Sequence, residues 1–367
     1  MVHIEGNKMT KKVLLVEPMF YRSIVPFAIM KLSSYYKANG YEVKYVRTNN
    51  LTMYKDYEPD EVGITSIFTW DLDKVCECIN SAKKVFPNAL IKVGGVAVTK
   101  MPEYIKEKTG IEPHIGLIPE VEKFSPDYSI FPDIDYSLTF TTRGCVRKCG
   151  FCVVSSHEPV YIERENWVDD INIKSKRIIV MDNNLLACSK EHFDNVIDKL
   201  IDFGKEVDLN QGLDAILLTD YQARRLNELK IKPFRFAFDQ RYYEKDVRKA
   251  NELITKYGAN SKNIHYFILY NWNDTMQDAH ERAAIIQNEL NAIPYAMRYC
   301  PLDSLTKNTY IGKHWNKEDA EKFRMYWNFQ RISKSCTYEE FKNGSYKKFI
   351  EEHKNDVKIK KGQKKLW

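Results

Sequence analysis

The run Tyr136-Ser-Leu-Thr-Phe-Thr-Thr-Arg-Gly-Cys145-Val-Arg-Lys-Cys149-Gly-Phe151-Cys152 decides how the rest of the chain reads. Its C-x3-C-x2-C spacing brings three thiolates around one point from a single loop. A cubane [4Fe–4S] cluster normally takes four Cys ligands. Three local ligands leave one iron open, and an open iron can bind and reduce something. Polar and aliphatic residues alternate over Tyr136–Thr141, which predicts a strand feeding the loop. A zinc site is the first rival, but structural zinc is usually four-coordinate and built from paired C-x2-4-C elements. No second C-x-x-C or H-x3-5-H follows at that distance. Disulfides suit this pattern less, because three of the eight cysteines crowd one loop and no secretory apolar core opens the chain. The remaining five (Cys76, Cys78, Cys188, Cys300, Cys336) are scattered, so no auxiliary cluster is expected.

Working outward, both flanks alternate strand and helix signals. Upstream, aliphatic runs at Lys12–Val16, Tyr41–Val46, Glu61–Phe68 and Ala89–Gly95 are separated by helical stretches at Pro26–Asn39 and Asp71–Phe86. Downstream, strands are expected at Arg177–Met181, Glu206–Asn210, Phe234–Phe238, Asn263–Leu269 and Ile293–Arg298. Helices are expected between them at Lys190–Phe203, Asp220–Leu229, Tyr243–Tyr257 and Thr275–Leu290. Such alternation predicts βαβ units and parallel sheets. After Cys300 the pattern stops, and Trp315–Phe329 reads as a helix with an aromatic face that caps what precedes it. Cys76 and Cys78 fall on one predicted helix and read as packing residues.

The chain has 367 residues, 44% of them hydrophobic and 29% charged, which suits a globular protein of two or three domains. No stretch approaches the ~20 apolar residues of a spanning helix, so no membrane role and a cytoplasmic location are expected. The net charge of +6 is concentrated at one end. From Arg331 to Trp367 there are 11 Lys and Arg against 5 Asp and Glu. This basic tail suggests contact with a nucleic acid backbone; a solvated terminus is the plainer reading.

The Cys145–Cys152 motif, with Phe151 before its third cysteine, resembles the radical S-adenosylmethionine (radical SAM) superfamily. The segment from Leu14-Leu-Val-Glu-Pro through Gly63-Ile-Thr-Ser to Val93-Gly-Gly-Val resembles the cobalamin-binding domain that precedes the core in one branch of it. The resemblance implies an α/β chain in three parts. Residues 1–124 form a Rossmann-like parallel sheet, residues 125–300 a partial (β/α)6 barrel, and residues 301–367 a helical C-terminal extension with the basic tail. It also implies that S-adenosylmethionine chelates the open iron and is cleaved by one electron, from a flavodoxin- or ferredoxin-type donor, to a 5′-deoxyadenosyl radical. That radical acts on a small-molecule or macromolecular substrate. Where relatives ligate cobalt, the loop after the first strand reads D-x-H-x-x-G; here it is Glu17-Pro-Met-Phe-Tyr-Arg, with no His. Cobalamin binding and a degenerate domain used for substrate or partner stand as equal alternatives.

Polar residues crowd the predicted C-terminal strand ends, where α/β barrels place their chemistry: Asp182, Asn183 and Asn184; Asn210 and Gln211; Asp239; Asn271, Asn273 and Asp274; and Arg298. Capping explains any one of them, but five successive strand ends suggest a lined cavity. By resemblance Phe151 lies near the adenine. Asp182, Asn183 and Asn184 stand where the family holds the amino group of S-adenosylmethionine. Asn210, Gln211 and Asp239 are candidates for ribose or carboxylate contacts, and Arg298 for the methionine carboxylate or a substrate anion. Arg143 and Lys148 balance the cluster's charge. The alternative function is a non-catalytic iron–sulfur or zinc protein that binds nucleic acid through its tail.

Overall fold

A computed structural model describes residues 10–344. Residues 345–367 of the basic tail expected to meet nucleic acid lie outside these residues. The chain divides into two compact units. Of the described residues, the first comprises 10–134, 147–161 and 302–307, and the second 135–146, 162–301 and 308–344.

In the first unit, β1 (Lys12–Glu17), β2 (Glu42–Arg47), β3 (Glu61–Ser66) and β4 (Leu90–Gly95) form a parallel sheet in the order β2-β1-β3-β4. Strand β1 is apolar on both faces because both are covered. Leu14 and Val16 pack with Val62, Ile64, Val75 and Ile79, while Val13 and Leu15 pack with Ile29 and Tyr36. The helices behind these contacts are Phe27–Ala38 and Leu72–Val85. Cys76 and Cys78 are both buried in the second helix. Burial pushes the Cys78 thiol up to about 12, consistent with packing rather than reactivity. Gly95 is required where it stands: its φ is +111°, and a Cβ there would meet the Ser66 carbonyl oxygen at 2.2 Å. The strand order reverses between β1 and β3, the place where open α/β sheets leave a crevice.

The second unit carries six parallel strands: β5 (Tyr136–Thr139), β8 (Arg177–Val180), β9 (Glu206–Leu209), β11 (Phe234–Ala237), β12 (Ile264–Tyr270) and β13 (Ile293–Arg298). They run in that spatial order, with an isolated bridge from Leu213 to Phe236 joining the β9 side to β11. Between β5 and β8 lie β6 (Thr142–Arg143) and β7 (Ile162–Glu163), an antiparallel pair. A short β10 (Lys230–Ile231) lies on β9. Helices Lys190–Phe203, Asp220–Leu226, Glu244–Lys256 and Met276–Ala284 occupy the intervals. One core holds the helices against Ile178, Val180, Val207, Leu209, Phe236 and Ile268. The alternate residues, among them Ile179, Asp208, Arg235, His265 and Phe267, face the other side by the two-residue period of a strand. The alternation and number of strands are those the sequence patterns predict, and the Rossmann-like sheet with a six-strand parallel partial barrel is the α/β architecture the resemblance implies.

The helix Lys317–Asn328 runs beside β13 and shields its open edge. The Asn328 side chain accepts from Ala296 N at 2.6 Å and donates to Ala296 O at 3.1 Å, as a neighbouring strand would. Phe323, Tyr326 and Trp327 from this helix, and Phe341 beyond it, join the same core as the barrel strands. Among the described residues, no helix is long and apolar enough to cross a membrane.

Candidate active site

The cysteine loop leaves the second unit at its first strand, and local interactions hold that exit. Thr142 and Arg143 pair with Glu163 and Ile162, so β6 and β7 tie together the two ends of the loop. Asp182, buried at the end of β8, receives Thr141 N at 2.6 Å, Thr142 N at 3.1 Å and the Thr141 hydroxyl. Burial pushes its carboxyl up to about 6, against the pull of those hydrogen bonds. Beneath the same turn, Arg164 Nη1 donates to Phe140 O at 2.6 Å and to Asp170 Oδ2 at 2.7 Å. Thr139 Oγ1 also donates to Asp170 Oδ2, at 3.0 Å. Glu163 accepts from Ser189 N at 2.6 Å and Ser189 Oγ at 2.9 Å, linking β7 to the cap of the helix Lys190–Phe203.

Cys145 is half-buried, and Asn184 Nδ2 lies 3.8 Å from its sulfur. The same amide nitrogen is 3.1 Å from Asp214 Oδ2, which orients it. Arg143 is buried with its guanidinium 3.9 Å from the centre of the Phe140 ring. Cys149 and Cys152 belong to the first unit, where Cys152 N donates to Cys149 O at 3.0 Å in a tight turn. Both are half-buried, as is Phe151 between them. Among the described residues, no three His, Cys, Asp or Glu side chains are gathered as a metal site. The match of this loop to an iron–sulfur cluster therefore rests on its donor chemistry, three thiols of one short segment, and on the N–H directed at Cys145.

The other strand-end residues divide by what they touch. Asp182 is committed to the backbone of the loop, not to a cavity. Asn183 and Asn210 are half-buried at their strand ends and Gln211 is exposed. Asp239 Oδ1 accepts from Leu269 N at 3.0 Å, and burial lifts its carboxyl to about 6. With Gln240, Tyr242, Trp272 and Asn273 it lines a cavity of about 340 Å³ over the ends of β11 and β12. Asn271 is buried with φ +65°; it donates to Tyr310 O at 2.9 Å and accepts from Gly312 N at 2.8 Å, clamping that later segment. Asp274 is paired with Arg282 and receives the Trp315 indole N–H. Arg298 stands in register with Tyr270 and so shares the face that the helix Lys317–Asn328 covers.

The sequence does not single out Arg164, Asp170 or Glu163, and it marks Asn271 only as one of the strand-end polar residues, without its clamp on the later segment.

No protein-family model matches the chain, and no curated protein matches it. Among solved structures it is similar to OxsB, a cobalamin-dependent S-adenosylmethionine radical enzyme solved in its apo form. That match has a TM-score of 0.56 at 13% identity and covers 89% of this chain and 56% of that one. A cobalamin-binding protein from Desulfitobacterium hafniense matches over 29% of this chain and 52% of its own, at 21% identity and a TM-score of 0.23, too low for any structural argument. The chain thus has the fold of a radical SAM enzyme. It spans little more than half the length of that enzyme.

Proposed function

We propose that this chain is itself a radical SAM enzyme, with Cys145, Cys149 and Cys152 holding a [4Fe–4S] cluster that takes S-adenosylmethionine at its fourth iron. One observation carries the reading: the three-thiol loop leaves the first strand of a six-strand parallel unit whose fold resembles a radical SAM enzyme. When bound and reduced, the cluster supplies the electron that cleaves the sulfonium C–S bond. The chain's own residues position and tune. Asp182 and the Arg164–Asp170 pair fix where the loop starts. Asn184 aims an N–H at the Cys145 sulfur, which raises the potential of whatever that sulfur ligates. Asn183, Asn210, Gln211 and Asp239 offer hydrogen-bonding groups at strand ends, and Phe151 an aromatic face. A one-electron donor of flavodoxin or ferredoxin type is the partner this chemistry requires.

Cobalamin fits less well. At the end of β1, just before the loop that would hold cobalt's ligand, the carboxylate of Glu17 is fully buried and engaged by Tyr45, Arg22 and Arg47. No imidazole is present there, so no step is assigned to cobalamin or to methyl transfer from it.

The test is anaerobic reconstitution with iron and sulfide, then dithionite and S-adenosylmethionine. The expected product is 5′-deoxyadenosine, and Ala at any one of the three cysteines should abolish both iron retention and product. Wild-type protein that stays colourless and iron-free overturns the proposal. A corrin absorption band after adding cobalamin to the same preparation distinguishes a cobalamin domain from a substrate- or partner-binding one.

A further inference from the structure

Several arginines of the second unit are paired with carboxylates, and among the described residues the half-buried Arg298 is not. Arg164, Arg235 and Arg282, all buried, meet Asp170, Asp208 and Asp274 respectively. Arg225, Arg241 and Arg248 also have carboxylate partners. Arg298 has none among the described residues. Its Nη2 donates to Tyr310 O at 3.0 Å, while its Nε is buried with no acceptor. A guanidinium withdrawn from water without a counter-charge is costly. Such a group is retained where a ligand completes it.

The surroundings hold this guanidinium in place. The Tyr310 carbonyl belongs to the segment that Asn271 clamps. Gly312 in that segment lies so close that a Cβ would meet the Asn271 and Trp272 carbonyl oxygens at 3.0 Å. A second guanidinium, that of Arg324 on the helix Lys317–Asn328, is exposed and also has no carboxylate partner among the described residues. Both arginines lie within electrostatic reach of the Tyr270 hydroxyl and favour its ionised form, although burial dominates and holds that phenol well above its usual range. Two guanidiniums with no carboxylate partner among the described residues, a preorganised one at the C-terminal end of β13 and one on the helix beside that strand, make an oxyanion receptor.

We propose that Arg298, assisted by Arg324, binds an oxyanion group, a phosphate or a carboxylate, carried by the substrate. The word substrate rests on the function proposed above; the anion site does not. Anchoring a remote charge is a way for an enzyme to supply binding energy away from the reacting atom.

The test titrates the full-length protein with inorganic phosphate and, separately, with acetate, at ionic strength held constant with sodium chloride. Calorimetry and the melting temperature are the readouts. Saturable binding is expected in the wild type, weakened about tenfold in Arg298→Gln and by a smaller factor in Arg324→Gln, since a charge-assisted bond is worth roughly twice a neutral one. Arg298→Lys should retain part of it. Preference for phosphate or for acetate identifies the carrier, and either supports the site. Equal anion affinity in the wild type and both variants overturns it. So does an Arg298→Gln protein that binds anions normally but has lost affinity for S-adenosylmethionine, because the residue then serves the cofactor. Arg324 is exposed, so its variant keeps the test decisive if Arg298→Gln fails to fold. Absence of 5′-deoxyadenosine with anion binding intact would sink the enzymatic reading and leave this one standing.

Discussion

Asp182→Asn separates the two opposing effects at the root of the cysteine loop. The carboxylate accepts Thr141 N at 2.6 Å, Thr142 N at 3.1 Å and the Thr141 hydroxyl. A carboxamide has a single acceptor oxygen, so at least one of these donors loses its partner, a cost of about 1–3 kcal/mol. In the opposite direction, the variant no longer buries a charge. Burial lifts the Asp182 carboxyl from 3.8 to about 6, so between those values the folded protein binds more protons than the unfolded chain. Its contribution to stability is therefore greatest in acid and falls as the pH rises through that window. Integrated from about pH 4 to about pH 7, the loss is roughly 2 kcal/mol. The Asn variant lacks this dependence. Urea unfolding of both proteins across that range should show the wild type losing its advantage over the variant by about 2 kcal/mol on going to neutral pH. A stability gap that stays constant from acid to neutral pH refutes the account of Asp182 as a desolvated carboxylate. A gap that widens toward neutral pH would mean that the hydrogen bonds outweigh burial.

Two further outcomes are expected. Asn184→Leu removes the N–H that lies 3.8 Å from the Cys145 sulfur; the reconstituted protein should keep its iron but show a more negative midpoint in an EPR-monitored redox titration. Arg164→Met leaves the Asp170 carboxylate, 1% exposed on its side chain, without its cation and should cost about 3–5 kcal/mol in chemical unfolding.

Strand positions were legible because the helix-facing side of each strand needs apolar residues, and a two-residue period survives in the sequence. The run Arg177–Val180 is a strand, and Lys190–Phe203 is a helix ending at Gly204, as the pattern predicts. The thiol spacing was legible for the same local reason. The uses of the strand-end polar residues were not. Asp182 reaches Thr141 across 41 residues of chain, and Arg298 reaches Tyr310 across a loop. A strand-end Asp that only caps a distant backbone and one that also lines a cavity look identical in sequence. Asp182 and Asp239 are these two cases.

What the amino-acid order determined by itself was local: where apolar residues alternate, where glycines stop helices, and that three cysteines share one short segment. What only the folded chain decided was partnership. It set Asp182 and Arg164 under the loop, turned Asn184 toward Cys145, gave Arg282 its aspartates and left Arg298 without one among the described residues. Periodicity is imposed by backbone geometry within a few residues. The cost of burying a charge is settled by whatever the whole tertiary arrangement brings beside it.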